Sequence, residues 1–245
     1  MQNRVAIDMV VGQIRQTLQQ KSREHQDELS RLGKQAEVEP LSSKVYELPL
    51  TNQIRGIGTI LRNPLTEDVD FIFYLDRLSA LLVEHALDHM HFVSHKVSTP
   101  QGTSYDGLRP MSGVSAVAIL RGGSVLETGL RRVIPECKSG RMLIQSSYRT
   151  GEPELHFLSL PKDIGNHDLV LLLDPQMSSG GAALMAVKVL VDHGVNEENI
   201  VFVTFFAGNM GVRRLTKVFP GIKVVVVEIS EDGMERWVER RYFGC

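Results

Sequence analysis

Five consecutive apolar residues, Leu169 to Leu173, run directly into Asp174-Pro175-Gln176-Met177 and then into Ser178-Ser179-Gly180-Gly181-Ala182-Ala183, where a helical pattern begins. A short run that is apolar on both faces reads as a strand buried inside a sheet. A Ser/Gly turn between such a strand and a helix can aim successive backbone amides at one phosphate, and glycines permit its close approach. Asp174, at the strand end, is then placed to hold sugar hydroxyls. A plain helix cap with two turn glycines would show the same local pattern. The carboxylate set immediately after five apolar residues is what turns the reading toward a binding site.

Further apolar runs, Val114 to Leu120, Met142 to Ile144, Ile200 to Phe206 and Val224 to Val227, alternate with helical patterns at Gly181 to His193 and Gly211 to Val218. That alternation predicts an α/β fold, a doubly wound and mainly parallel sheet flanked by helices, with ligand at the carboxyl ends of the strands. A helix is predicted from Asp68 to about His89, with Asp68 as its cap. Val93 to Gly113 reads as a protruding β-hairpin arm, with Pro100 and Gly102 at the second and fourth positions of a type I turn. Val5 to Leu32 reads as an N-terminal helical extension and Gly33 to Pro49 as a linker or surface strap. Residues 1–49 are therefore read as helix and linker, and 50–245 as the domain.

Charge and cysteine usage remove several function classes. With 27 basic against 29 acidic residues there is no electrostatic footprint for nucleic acid or an acidic membrane surface, so any phosphate binding must be local. Cys137 and Cys245 lie far apart without metal-ligand spacing, which suits a reducing compartment. Arg4, Asp8 and Arg15 interrupt the first apolar stretch and no run reaches membrane-spanning length, so the expected location is cytoplasmic. His85, His89, His91 and His95 have no neighbouring cysteine or HExxH pattern, and read as surface residues with no metal site.

The Asp174 to Ala182 stretch resembles the phosphoribosyl-diphosphate loop of uracil phosphoribosyltransferases, usually Asp-Pro-Met-Leu-Ala-Thr-Gly-Gly-Ser. Ser179 stands for the threonine and keeps its hydroxyl, whereas Ala182 loses that of the final serine. In the same order as the family, Leu61-Arg62-Asn63 with Thr66 and Phe71 resembles Leu-Arg…Thr…Phe, Ile119 to Gly123 resembles Ile-Leu-Arg-Ala-Gly, and Tyr148-Arg149 with Glu152-Pro153 resembles Tyr-Arg…Glu-Pro. The resemblance spans roughly residues 53 to 229 and implies a phosphoribosyltransferase-type fold. It also implies Asp174 and Arg121 as catalytic residues, the first orienting ribose and the second clamping diphosphate with its planar guanidinium. Ser178, Ser179, Gly180, Gly181, Ala182, Gly123, Arg149 and Arg62 would hold the phosphoribosyl group. Mg²⁺ would join the diphosphate if the chain catalyses transfer.

At the C-terminus the sequence departs from that pattern. Where the family has a glycine-rich segment that holds the uracil edge through its backbone, this chain has Ser230 to Arg240, rich in charge, and only Arg241-Tyr242-Phe243-Gly244 keeps register as base-binding residues. A small planar base depends on donors and acceptors at fixed positions, so low uracil turnover is expected. Trp237 could stack on a base, but packing of the altered tail is the simpler reading. Asn3 to Val11 with Ile14 resembles the closing helix of the kinase domain in fungal uridine kinases that carry such a domain, while no GxxxxGK[ST] loop occurs. The reading is thus of a domain from a pyrimidine-salvage uridine kinase, without the kinase core, that binds phosphoribosyl diphosphate or a pyrimidine nucleotide in a regulatory or oligomerising role. It is expected to self-associate through the arm. The alternative is an active enzyme that makes UMP from uracil and phosphoribosyl diphosphate.

Overall fold

The computed structural model describes residues 40–111, 113–147, 151–231 and 236–244. The expected helix over Val5 to Leu32, together with Arg149 and Cys245, lies outside them. In chain order the elements are β1 (Val45–Glu47), α1 (Asn52–Arg62), α2 (Asp68–Leu87), β2 (Phe92–Ser98), β3 (Ser104–Pro110), β4 (Val114–Leu120), α3 (Glu127–Val133), β5 (Lys138–Ser146), β6 (Pro153–Ser159), β7 (Leu169–Leu173), β8 (Gln176–Met177), α4 (Gly181–Asp192), β9 (Ile200–Gly208), α5 (Asn209–Val218), β10 (Lys223–Ser230) and α6 (Val238–Phe243). The main sheet has the order β1-β10-β9-β7-β4-β5-β6, with β8 added to β9. Its pairings are parallel except for the antiparallel β5–β6 pair.

The strand β7 is central, between β4 and β9, and this explains its unbroken apolar sequence. Successive side chains go to opposite faces. Leu169, Leu171 and Leu173 join a core with α1, α2 and α3, while Val170 and Leu172 join one with α4 and α5. Strand β9 divides in the same way, Val201, Val203 and Phe205 to the first core and Ile200 and Phe202 to the second. Both carboxyl ends, and the loops that leave them, are consequently rigidly supported.

Two strand boundaries match the apolar runs, β4 and β7, because β7 is buried throughout and β4 everywhere but at its two half-buried ends. The strand β5 extends beyond Met142 to Ile144 because its ends face solvent, and β6 had no apolar signal because its residues are mostly exposed. Helix α1 was also unread: Gly56 and Gly58 interrupt it, and only Ile54, Ile57 and Leu61 are buried, with Thr51 accepting from Ile54 N as its cap. In α2 the capping position belongs to Glu67 and not to Asp68, which is the first helical residue. Asp68 and Asp70 instead favour that helix through charge in its first turn.

Part of the expected strap, Val45–Glu47, adds to the sheet edge beside β10. The hairpin arm follows its sequence closely. Gly102 N donates to Thr99 O at 2.9 Å, closing a turn with Pro100 second and Gly102 fourth, and Gly102 has φ +77°. Strands β2 and β3 pair antiparallel from Phe92–Pro110 to Ser98–Ser104.

Candidate functional site

At the carboxyl end of β7 the chain turns through residues 174–181 and enters α4. Gly180 caps that helix at φ +80°, a conformation that side-chain-bearing residues rarely adopt. Ser178 is exposed, Ser179, Gly181 and Ala182 are half-buried and Gly180 is buried, so the loop meets solvent mainly at Ser178. Two residues missed by sequence reasoning shape it from behind. Arg214 Nη1 donates to Ser179 O at 2.9 Å, and a Cβ on Gly211 would lie 2.2 Å from Ser178 O, so α5 packs directly on the loop backbone. No local spacing announces this, because both residues lie more than thirty positions downstream.

The neighbouring strand β4 brings Arg121 to the same end of the sheet. The Leu120–Arg121 peptide is cis, and the Arg121 side chain is exposed. Gly123 is buried, and a Cβ there would lie 2.3 Å from Leu173 O. Its lack of a side chain thus seats the Arg121 turn against the end of β7. The structure thereby brings together Asp174, Ser178 to Ala182, Arg121 and Gly123.

Asp174 itself is covered by the C-terminal tail. Its carboxylate is 3% exposed and accepts a charge-assisted hydrogen bond from Arg236 Nη2 at 2.6 Å. Burial pushes the Asp174 carboxyl up to about 6, against the opposing pull of Arg236 and with a further push from the Glu239 carboxylate. Beside it, Gln176 Oε1 accepts from both Trp237 N (2.8 Å) and Val238 N (2.9 Å). The Glu239 carboxylate fills the space above Gly122: a Cβ on Gly122 would meet Glu239 Oε2 at 2.6 Å and Pro175 Cδ at 3.0 Å. A methyl group at position 122, where the family has alanine, would make the Glu239 carboxylate shift. Neither Gln176 nor Arg236 was singled out from sequence.

The other nominated residues go elsewhere. Arg62 pairs with Glu228 at 2.6 Å and lies over the Phe206 ring at 4.9 Å, which places it against β9 and β10. Arg241 donates to Asn63 O at 3.2 Å and to Thr66 O, and its guanidinium covers Phe71 at 5.0 Å. Tyr242 Oη donates to the buried Asp76 at 3.3 Å. Phe243 is exposed and packs edge-on against Tyr242, while Gly244, at φ +68°, caps α6. Arg241 thus ties the ending to the Asn63…Thr66…Phe71 segment, while Tyr242 ties it to Asp76. Trp237 packs against Phe71 and Phe206, with ring centroids 6.0 and 5.6 Å away. A cavity of about 610 Å³ opens on the far side of this tail, lined among others by Arg62, Phe206, Glu228, Trp237 and Arg241.

His85 and His89 are half-buried, and His89 stacks on Tyr46 with centroids 3.9 Å apart, so neither is the surface residue expected. The reason is the edge strand β1, which covers that end of α2. Among the described residues, no three His, Cys, Asp or Glu are grouped to hold a metal ion.

A mainly parallel sheet with an Asp–Ser/Gly loop leaving a central strand, opposed by an arginine turn from the adjacent strand, is a phosphoribosyltransferase-type domain. A solved structure of the AQ2163 protein from Aquifex aeolicus shares the fold, with a TM-score of 0.69 and 22% identity over 81% of this chain and 97% of that one. The sequence profile of the uracil phosphoribosyltransferase family matches residues 48–236, and the chain belongs to that family. Its relatives are of two kinds. The "Uracil phosphoribosyltransferase" of Dictyostelium discoideum is 42% identical over 192 residues, 78% of this chain and 88% of that protein. The "Uridine-cytidine kinase-like 1" of Mus musculus is 39% identical over 234 residues and the "Uridine kinase" of Saccharomyces cerevisiae 34% over 257, matching 94% and 99% of this chain. The chain spans only 41% and 51% of the length of those two proteins. Among the described residues, no helix is long and apolar enough to cross a membrane.

Proposed function

We propose that this is the uracil phosphoribosyltransferase-like domain of a uridine kinase-type protein of pyrimidine salvage, binding phosphoribosyl diphosphate or a pyrimidine nucleotide in a regulatory or oligomerising role with little uracil transfer. The observation that carries this reading is the tail at the site: Arg236 on Asp174 and Glu239 over Gly122 stand where a ribose and base would need room, while Ser178 stays exposed and Ser179, Gly181 and Ala182 half-buried. The near-complete matches to kinase-named relatives support the kind of parent protein. Magnesium would enter only with catalysis, as the counter-ion of the diphosphate, because the carboxylate beside the loop is already bound to a guanidinium. The charge balance and cysteine usage suit a cytoplasmic protein.

Self-association through the arm completes the proposal. Phe92, Val97, Tyr105, Leu108 and Met111 are exposed apolar residues on or beside that hairpin, and closed two-fold dimers are the commonest outcome for soluble folds. A monomeric mass at micromolar concentration by light scattering would refute it.

The reading is tested by incubating the purified chain with labelled uracil, phosphoribosyl diphosphate and Mg²⁺, alongside calorimetric binding of phosphoribosyl diphosphate, UMP, UTP and CTP. Binding with negligible UMP formation is expected. Robust UMP formation, abolished by Asp174→Ala or Arg121→Ala, would replace this reading with that of an active transferase.

A further inference from the structure

The loop and the carboxylate that follow β7 are in different states. The loop backbone at Ser178 is exposed, whereas the Asp174 carboxylate is 3% exposed and bound to Arg236. We propose that the Arg236 guanidinium is an internal competitor for the ribose position: a ligand carrying a ribose diol has to displace it from Asp174, whereas a phosphate group alone occupies the loop with the tail in place. This inference rests on the phosphate-binding reading above.

The docked tail is a built arrangement. Val238 is fully buried, the Gln176 carboxamide accepts both amides that open α6, and the Glu239 carboxylate lies over Gly122. Arg236 remains 42% exposed, so the cation sits at the rim and covers the acid beneath it. A buried carboxylate left without a partner is strongly unfavourable, so Asp174 exchanges partners and is not simply vacated. A diol offers two hydroxyl donors that can replace the guanidinium donors. Inorganic phosphate carries no ribose diol to replace the guanidinium donors, and its acceptor oxygens suit the loop amides. Exclusion of the tail by one ligand class implies reciprocal exclusion of that class by the tail.

In the competition proposed the tail leaves as a unit with Arg236, taking Trp237, the single tryptophan of the chain, out of its packing against Phe71 and Phe206. Its fluorescence therefore reports tail position. The test titrates the full chain, Arg236→Ala and Gln176→Ala with inorganic phosphate, ribose 5-phosphate and phosphoribosyl diphosphate, reading affinity by calorimetry and tail position by emission. The two ribose-bearing ligands are expected to shift Trp237 emission and inorganic phosphate to leave it unchanged. A site competent in about one molecule in ten binds about tenfold more weakly, so Arg236→Ala is expected to tighten ribose 5-phosphate at least about tenfold without altering phosphate affinity. Gln176→Ala, which keeps the Arg236–Asp174 pair but releases the amides that dock the tail, is expected to tighten it by less, and it serves if Arg236→Ala folds poorly.

Equal affinities for ribose 5-phosphate in wild type and both variants, with phosphate still bound, would overturn the competitor and leave the binding reading standing. Unchanged Trp237 emission on saturation with phosphoribosyl diphosphate would do the same. Absence of binding by every ligand in every variant would overturn both.

Discussion

The loop from Asp174 to Ala182 and the tail from Arg236 to Gly244 meet at the same carboxylate but are held by different kinds of interaction. The loop takes its shape from its own strand, its own glycine at φ +80° and the helix it starts. The tail takes its shape from partners distant in sequence: Asp174 and Gln176, about 60 positions away, and Asn63, Thr66 and Asp76, well over 150 positions away. A ligand site assembled from one local and one remote half can lose the remote half without disturbing the local one. On the reading proposed above, that is how a phosphate cradle persists beside a filled base position.

The sharpest way to break the local half is Gly180→Val. A β-branched residue at φ +80°, with its Cβ 3.1 Å from Gly211 O, should strain the loop by on the order of 1–3 kcal/mol and weaken phosphate or phosphoribosyl diphosphate binding by more than about 100-fold. Calorimetry would show it; unchanged affinity would remove the loop from the site.

Asp174→Asn probes the carboxylate where the halves meet. Burial lifts this carboxyl from 3.8 to about 6, so across that window the folded chain holds a proton that the unfolded chain has released. Its contribution therefore makes the protein less stable as pH rises from about 4 through about 6, by on the order of 3 kcal/mol, and leaves it on the lower plateau above. The asparagine variant should lose that slope and melt higher than wild type at pH 8, while losing ribose-ligand binding. Denaturant midpoints at pH 4 and pH 8 for both proteins check the sign, and parallel pH profiles would contradict it.

A smaller effect is expected from Val238→Ala, which removes buried methyl groups from the docked tail at a cost of about 1.5 kcal/mol. Limited proteolysis should cut this variant's tail faster, with the rest of the domain intact. Smallest is Arg62→Ala, since the Arg62–Glu228 pair is about half exposed on both sides and such pairs contribute roughly 0–1 kcal/mol. Phosphate affinity should stay within about twofold, whereas a large loss would return Arg62 to the phosphate site that the family resemblance implied.

Sequence by itself determined the elements whose physics is local. Leu169 to Leu173 announced a central strand because burial on both faces demands an unbroken apolar run, and Pro100 and Gly102 announced their turn because each fixes the backbone where it stands. The turn between Leu173 and Gly181, with its left-handed Gly180 at the helix start, belongs with them. What escaped were elements stabilised by partners: β6, exposed and held by pairing to β5; α1, with two glycines and three buried residues; and the cap of α2, displaced by one residue. At the site, the sequence showed that the base segment was altered but not what replaced it. Only the tertiary structure set Arg236 on Asp174, Glu239 above Gly122 and Arg214 behind Ser179, and it drew Arg62 and Arg241 away to Glu228 and Thr66. A long charged side chain can satisfy its hydrogen bonds at many places within reach, so its partner is chosen by how the packed core brings distant backbone together, and no spacing along the chain encodes that choice.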